Sequence, residues 1–245
     1  MTKTDRTPKL SPRLGALLQL IRPGARLLDV GSDHAYLPVA AVAAGVAKAA
    51  LASDIASGPI ERARAHVAEY GLEDRVETMR TPGLEGTGDF HATDVVIAGM
   101  GGEMIASILE ACRYIRDPRI RLILQPMTKS EKLREYLSHS GFEIDGETVI
   151  EEGRRIYEAM TAHYTGIPYL LSPLEAQIGR RDPGSDGEKT KKLLEKKIAR
   201  QRKAAQGKRA DDPEKEKEVR LLTELTSALE ALELKSKKTN GEEEG

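Results

Sequence analysis

The apolar positions of the chain keep one rhythm for about two thirds of its length and then change to another. Ser11 and Pro12 open the first amphipathic stretch, since serine suits a helix cap and proline the first helical position. Leu14, Leu17, Leu18 and Ile21 then share one face, and Pro23-Gly24 ends the run. "RLLDV" (26–30) predicts a buried strand, residues 35–44 a helix, and "KAALASDI" (48–55) a second strand. A helix opens at Ser57 and runs to about Tyr70, with Gly71 closing it. Strands follow at 75–79, 94–100 and 120–126, with helices at 104–115 and 129–140. "FEIDGETVIEEGRRIYEAMTAHY" then holds two β-like runs around Glu152-Gly153-Arg154, a hairpin signal. Five strands alternating with helices predict an α/β fold, an open, mostly parallel sheet with helices on both faces. The hairpin adds an antiparallel strand.

Beyond about residue 168 the pattern becomes polar and helical. From Lys189 to Arg209, ten lysines and arginines face one acid, Glu195. Asp211-Asp212-Pro213 restarts a helix in which Leu222, Leu225, Leu229 and Leu232 form a short heptad seam. The expected organisation is an α/β domain over 1–167, a coiled-coil-like helical hairpin over 168–235, and a disordered tail over 236–245. The seam is read as closing within one chain, so a monomer is expected, with dimerisation through these helices as the alternative.

Composition narrows the chemistry. The formal net charge of −1 over 245 residues hides the one-sided basic helix. Aromatic residues are 4% of the chain and tryptophan is absent, leaving little material for a base-stacking platform. The single cysteine, Cys112, excludes an intrachain disulfide and a multi-cysteine zinc site. The five histidines show no ligand spacing, so no metal is expected. No apolar run approaches the roughly 18 residues of a membrane span, and "MTKTDRTPKL" lacks a signal-peptide core. A cytoplasmic protein without a membrane partner is the expectation.

In open α/β sheets, ligands bind at the carboxyl ends of the central strands. Three loops here qualify. The first is Gly31-Ser32-Asp33-His34, behind Asp29. The second carries Asp54, 23 residues after Gly31, where an acid can accept from both hydroxyls of a ribose. The third is Ala98-Gly99-Met100-Gly101-Gly102, whose glycines let backbone approach a ligand closely. A dinucleotide turn would place glycine where Asp33 and Tyr36 stand, which disfavours an NAD-dependent dehydrogenase. A carboxylate at Asp33 suits a ligand with a positive end, such as the sulfonium of S-adenosylmethionine. Tyr36 and Leu37 read as packing residues.

"DVGSDHAYLP", "SDIASGPIERAR", "VVIAGMGGEMI" and "LILQP", with "LSPRL" before and "EEGRRIYE" after, resemble the bacterial tRNA adenine-N1 methyltransferases that act at tRNA position 22. The resemblance spans roughly residues 10 to 165, in order and at the family's spacing. It implies a Rossmann-like methyltransferase sheet, S-adenosyl-L-methionine as cofactor and tRNA as partner. The cofactor site then comprises Asp29, Gly31, Ser32, Asp33, Asp54 and Ile55 from the first two loops. Gly83, Leu84, Ala98, Gly99, Met100 and Gly101 complete it. Asp33, His34, Met100 and Gln125 are the candidates for positioning the target base. Arg13, Lys192, Lys196, Arg200 and Lys203 are the candidates for RNA contact. The sequence departs from the family at Pro82, where an acid commonly precedes Gly-Leu, and at Met127, where asparagine often follows "LQP". Those departures keep open a nucleotide- or RNA-binding protein that transfers nothing; within enzymes, the alternative is a methyltransferase with another RNA or small-molecule acceptor.

Overall fold

The Ser11 hydroxyl accepts from the Leu14 amide, and Pro12 begins α1 (Pro12–Leu20). In the computed structural model, which describes residues 7–180, 187–209 and 211–242, this cap leads into a seven-stranded sheet ordered β3-β2-β1-β4-β5-β7-β6. The strands are β1 (Ala25–Val30), β2 (Ala47–Asp54), β3 (Val76–Arg80), β4 (Asp94–Gly101), β5 (Arg121–Thr128), β6 (Phe142–Glu152) and β7 (Arg155–Tyr164). β1 pairs in parallel with β2 and β4, and β2–β3 and β4–β5 are also parallel. The hairpin adds β7 antiparallel to β5 and β6 outside it, as the Gly153 turn signal implies.

Neighbouring residues of the central strands point to opposite faces, so both faces are buried and the strands read as unbroken apolar runs. Leu27 belongs to the core packed against α1, α2 (Tyr36–Ala43) and α3 (Ser57–Tyr70). Leu28 belongs to the core under α4 (Gly102–Glu110) and α5 (Ser130–His139). Residues Leu37 to Val42 of α2 are all buried, because the helix is covered by the sheet, α1 and α3 together. At the far end of the sheet Asp94 is fully buried and accepts from the backbone and the Nε of Arg22 at 2.9 and 2.8 Å, which ties the end of α1 to β4.

Two boundaries differ from the sequence expectation. The helix expected over 104–115 begins at Gly102 and ends at Glu110. Gly102 starts it early because a Cβ there would lie 2.2 Å from the Lys129 carbonyl oxygen, so only glycine lets α4 meet the β5–α5 turn. Its end comes early because residues 111–116 leave the helix axis for a turn and a short 3-10 segment, Tyr114–Arg116.

The chain divides into two compact units, Met1–Leu170 and Leu171–Gly245. The second contains α6 (Pro173–Ile178), α7 (Gly187–Gly207) and α8 (Lys215–Glu242). Ile178, Leu194, Ile198, Leu225 and Leu232 form its buried core, with Leu222 and Leu229 packed on the edge. The leucine seam therefore faces α7 of the same chain. Helical backbone continues to Glu242, across most of the segment expected to be a disordered tail; residues 243–245 lie outside the described residues. No helix among the described residues is long and apolar enough to cross a membrane.

Inside the first unit, α5 sends a fully buried Arg134 between two carboxylates. Its Nε donates to Glu147 at 2.7 Å and its Nη2 to Glu158 at 2.6 Å, while the Ser130 hydroxyl donates to the second Glu158 oxygen. Removing one member of a buried ion network strands the others in a low dielectric. Arg134→Met is expected to cost about 3–5 kcal/mol, read as a lower urea midpoint. Adding Glu147→Leu and Glu158→Leu should recover part of that loss.

Candidate functional site

The strand order reverses between β1 and β4, so their carboxyl ends diverge and leave a crevice. A cavity of about 870 Å³ opens there, within the usual range for a small-molecule site. Gly31, Asp54, Ile55, Gly83, Leu84 and Met100, all expected from the sequence, line it. The opposite wall, formed by Met104 and Ile108 of α4 and by Cys112 and Tyr114 after it, was not anticipated. Part of the signal was present, because 104 and 108 lie on one helical row, but nothing local marks that row as a ligand wall. Burial raises the Cys112 thiol, and burial pushes the Tyr114 hydroxyl up to about 12. Both therefore stay neutral near pH 7 and act as lining, not as nucleophiles.

Each cavity loop has a physical reason for its shape. Gly31 has φ +77°, and a Cβ on it would meet the Met100 methyl at 2.2 Å. It thus supplies both a left-handed turn and room for a side chain from the facing loop. Asp54 ends β2, and one of its oxygens accepts from the Ala56 amide at 2.9 Å, which sets the carboxylate at the cavity. The loop bearing Pro82 in place of an acid is closed by the Thr81 hydroxyl donating to the Glu85 carbonyl at 2.7 Å. Glu85 itself is among the residues that line the cavity, so this loop carries an acidic residue there one position after Leu84.

The other candidates are not among the residues that line this cavity and stand in different settings. Asp29 is buried on β1, and burial pushes its carboxyl up to about 6; Ser32 and Arg13 oppose the shift and Asp54 adds to it. Asp33 is exposed, with its carboxylate 2.6 Å from the Arg62 guanidinium and 3.7 Å from His34 Nδ1. Gln125 is fully buried, and its oxygen accepts from Arg13 Nη1 at 2.9 Å and from the Gly99 amide at 3.2 Å. Its amide nitrogen donates to the Pro126 carbonyl at 3.0 Å. These bonds occupy Gln125 as a clamp between α1 and the Ala98–Gly101 loop, so Arg13 belongs beside that loop. Lys192, Lys196, Arg200 and Lys203 are exposed and nearly in line along α7 of the second unit. Met127, at the other departure from the family pattern, is 39% exposed. No group of three or more His, Cys, Asp or Glu among the described residues is placed to hold a metal ion.

Residues 10–160 match the family described as a methyltransferase domain. The tRNA (adenine(22)-N(1))-methyltransferase of Bacillus subtilis is 36% identical over 179 residues, 73% of this chain and 69% of that protein. The crystal structure of the B. subtilis tRNA methyltransferase TrmK superposes with a TM-score of 0.72 at 31% identity, covering 92% of this chain and 97% of that one. A Streptococcus pneumoniae protein in complex with S-adenosyl-L-methionine gives 0.78 at 30% identity, covering 90% and 100%.

The raised carboxyl of Asp29 makes stability depend on pH. A folded-state value near 6 against an ordinary 3.8 means that the folded chain binds this proton more tightly than the unfolded chain. The contribution is present below about pH 4 and is lost as pH rises through about 6, in total on the order of 3 kcal/mol. Asp29→Asn should remove that component, so urea titrations from pH 4 to 7 should show wild type losing stability relative to the variant.

Proposed function

This chain belongs to the tRNA (adenine(22)-N1)-methyltransferase family, and from that premise we propose that it transfers a methyl group from S-adenosylmethionine to N1 of the adenine at tRNA position 22. The observation that carries the reading is the cavity at the β1/β4 crevice, lined by Asp54 together with apolar residues such as Ile55, Leu84 and Ile108.

The residues fit this cofactor. Asp54 is placed to accept from the ribose hydroxyls, while Ile55, Leu84 and Ile108 supply apolar contacts for a purine and Glu85 a carboxylate for its amine. Gly31, whose missing Cβ makes room for the Met100 methyl, forms with Ser32 and Asp29 the turn that receives the amino-acid end. Ala98, Gly99 and Gly101 bring backbone to the same crevice from β4. When bound, the cofactor supplies an electrophilic methyl carbon on a positive sulfur.

The chain's own residues then align and shield. Adenine N1 carries a lone pair and no proton at neutral pH, so its attack needs no general base. The requirement is an in-line approach of N1 to the methyl carbon and the exclusion of water. Gln125 acts through its clamp: it holds Arg13 and the Gly99 amide at the mouth of the crevice, so Arg13 rather than Gln125 is presented to the RNA. Asp33 and His34, on the turn after β1, and Met100, which lines the cavity, are assigned to orienting the base. N1 lies on the Watson–Crick edge, so the target adenine must be unpaired or turned out of its stack before transfer. Lys192, Lys196, Arg200 and Lys203 on α7 offer a row of charge for phosphates, a contact that positions RNA without reading its sequence.

The test is methyl transfer from labelled S-adenosylmethionine to two unmodified tRNAs, one with adenine and one with guanine at tRNA position 22. The expected result is 1-methyladenosine on the adenine-bearing tRNA alone, with Asp54→Ala at least about 100-fold slower at limiting cofactor. Equal methylation of both tRNAs would remove the position, and cofactor binding with no transfer would remove the acceptor.

A further inference from the structure

The loop that supplies Gly31 to the cavity continues into a ladder of rings. His34 and Tyr36 stack with centroids 5.4 Å apart and planes at 27°. Tyr36 meets His66 edge-on at 4.6 Å, and His66 meets Tyr70 edge-on at 5.0 Å. His66 is pinned by its Nδ1, 2.7 Å from the His34 carbonyl; a carbonyl only accepts, so Nδ1 carries the hydrogen. Arg62, His66 and Tyr70 lie four residues apart on one row of α3, and Arg62 pairs with Asp33 of the same loop.

The sequence reading made Tyr36 a packing residue and found too few aromatics for a stacking surface. The structure adds to both readings at this spot. Leu37 is 1% exposed, but Tyr36 is 45% exposed, and among the described residues its hydroxyl has no hydrogen-bond partner. Single exposed tyrosines are ordinary. This one differs in being in contact with two imidazoles, His34 stacked on it and His66 edge-on, so its ring has less freedom to lose on binding. It also draws on a scarce resource, since two of the chain's five histidines and two of its seven tyrosines stand here.

We propose that Tyr36, held by His34 and His66, is a stacking platform for an unpaired base of the RNA substrate beside the cavity mouth. Proteins that take single-stranded segments of RNA stack splayed bases on tyrosine and histidine rings, with charge nearby for the backbone. The exposed part of the Tyr36 ring and the half-exposed guanidinium of Arg62 supply those two components. The inference rests on the proposed tRNA substrate but concerns a surface outside the cofactor cavity, so the two can fail separately.

The experiment compares wild type, Tyr36→Ala and Tyr36→Phe. It measures affinity for an unmodified tRNA bearing adenine at tRNA position 22, methyl transfer to that tRNA, and affinity for S-adenosylmethionine. Tyr36→Ala should weaken tRNA binding and lower kcat/KM for tRNA roughly 10-fold or more, with cofactor affinity within about twofold of wild type. Tyr36→Phe keeps the ring and should restore both tRNA measurements. Unchanged tRNA affinity in Tyr36→Ala overturns the platform, as does a Tyr36→Phe protein as weak as the alanine variant. Loss of cofactor affinity alongside would also overturn it, by marking a structural role. Binding that depends on Tyr36 without methylation keeps the platform and removes the proposed reaction. Normal methylation by Tyr36→Ala does the reverse, and a wild type that neither binds nor methylates tRNA removes both.

Discussion

β1 hydrogen-bonds in parallel to β2 along one edge and to β4 along the other. That double pairing is the constraint on which the site depends. The chain leaves β1 for α2 on one face of the sheet and leaves β4 for α4 on the other. Two successive loops therefore turn apart at the same sheet end, and the space between them cannot be filled by either. The cavity follows from topology, before any side chain lining it is considered. Residues such as Gly31 and Asp54 matter because they stand where the two paths separate.

Close backbone packing keeps that space in register. Gly102 lets α4 approach the Lys129 carbonyl, and the buried Gln125 joins the Gly99 amide to Arg13 of α1. Each contact ties a cavity loop to an element outside the crevice. The buried Asp29 adds an electrostatic element, since its carboxyl is disfavoured as a charge and Arg13 lies close enough to oppose that. A group proposed to receive the amino-acid end of the cofactor is thus set in an environment where a positive partner has most to offer. The same environment makes the site costly to the fold at neutral pH, a common arrangement where chemistry and stability meet.

Much of this was legible beforehand. Strands buried on both faces read as apolar runs, and the Gly153 turn between β6 and β7 announced the reversal of direction. Asp54, Gly31 and the glycines after β4 could be found because each occupies a strand end at a spacing that the fold dictates. The α4 wall was harder, since Met104 and Ile108 look like any apolar helix face. Gln125 was read as a base contact because its position toward the end of β5 is visible in sequence, while the hydrogen bonds that occupy it are not. The exposure of Tyr36 was hidden for a related reason. An aromatic beside a leucine in a helix start reads as core, and only the covering elements decide which of the two is buried.

The sequence by itself determined the order of the elements, the class of the sheet, the cofactor-side loops and the family, because these depend on local periodicity, turn chemistry and residues at fixed spacings. The tertiary structure decided which side chains meet. It placed Glu85 at the cavity across from α4, coupled Arg13 to Gln125 over a long stretch of chain, and drew His34, Tyr36, His66 and Tyr70 into one ladder. Contacts between residues far apart in sequence leave no periodic trace in either segment. They exist only once the sheet has brought those segments to one end.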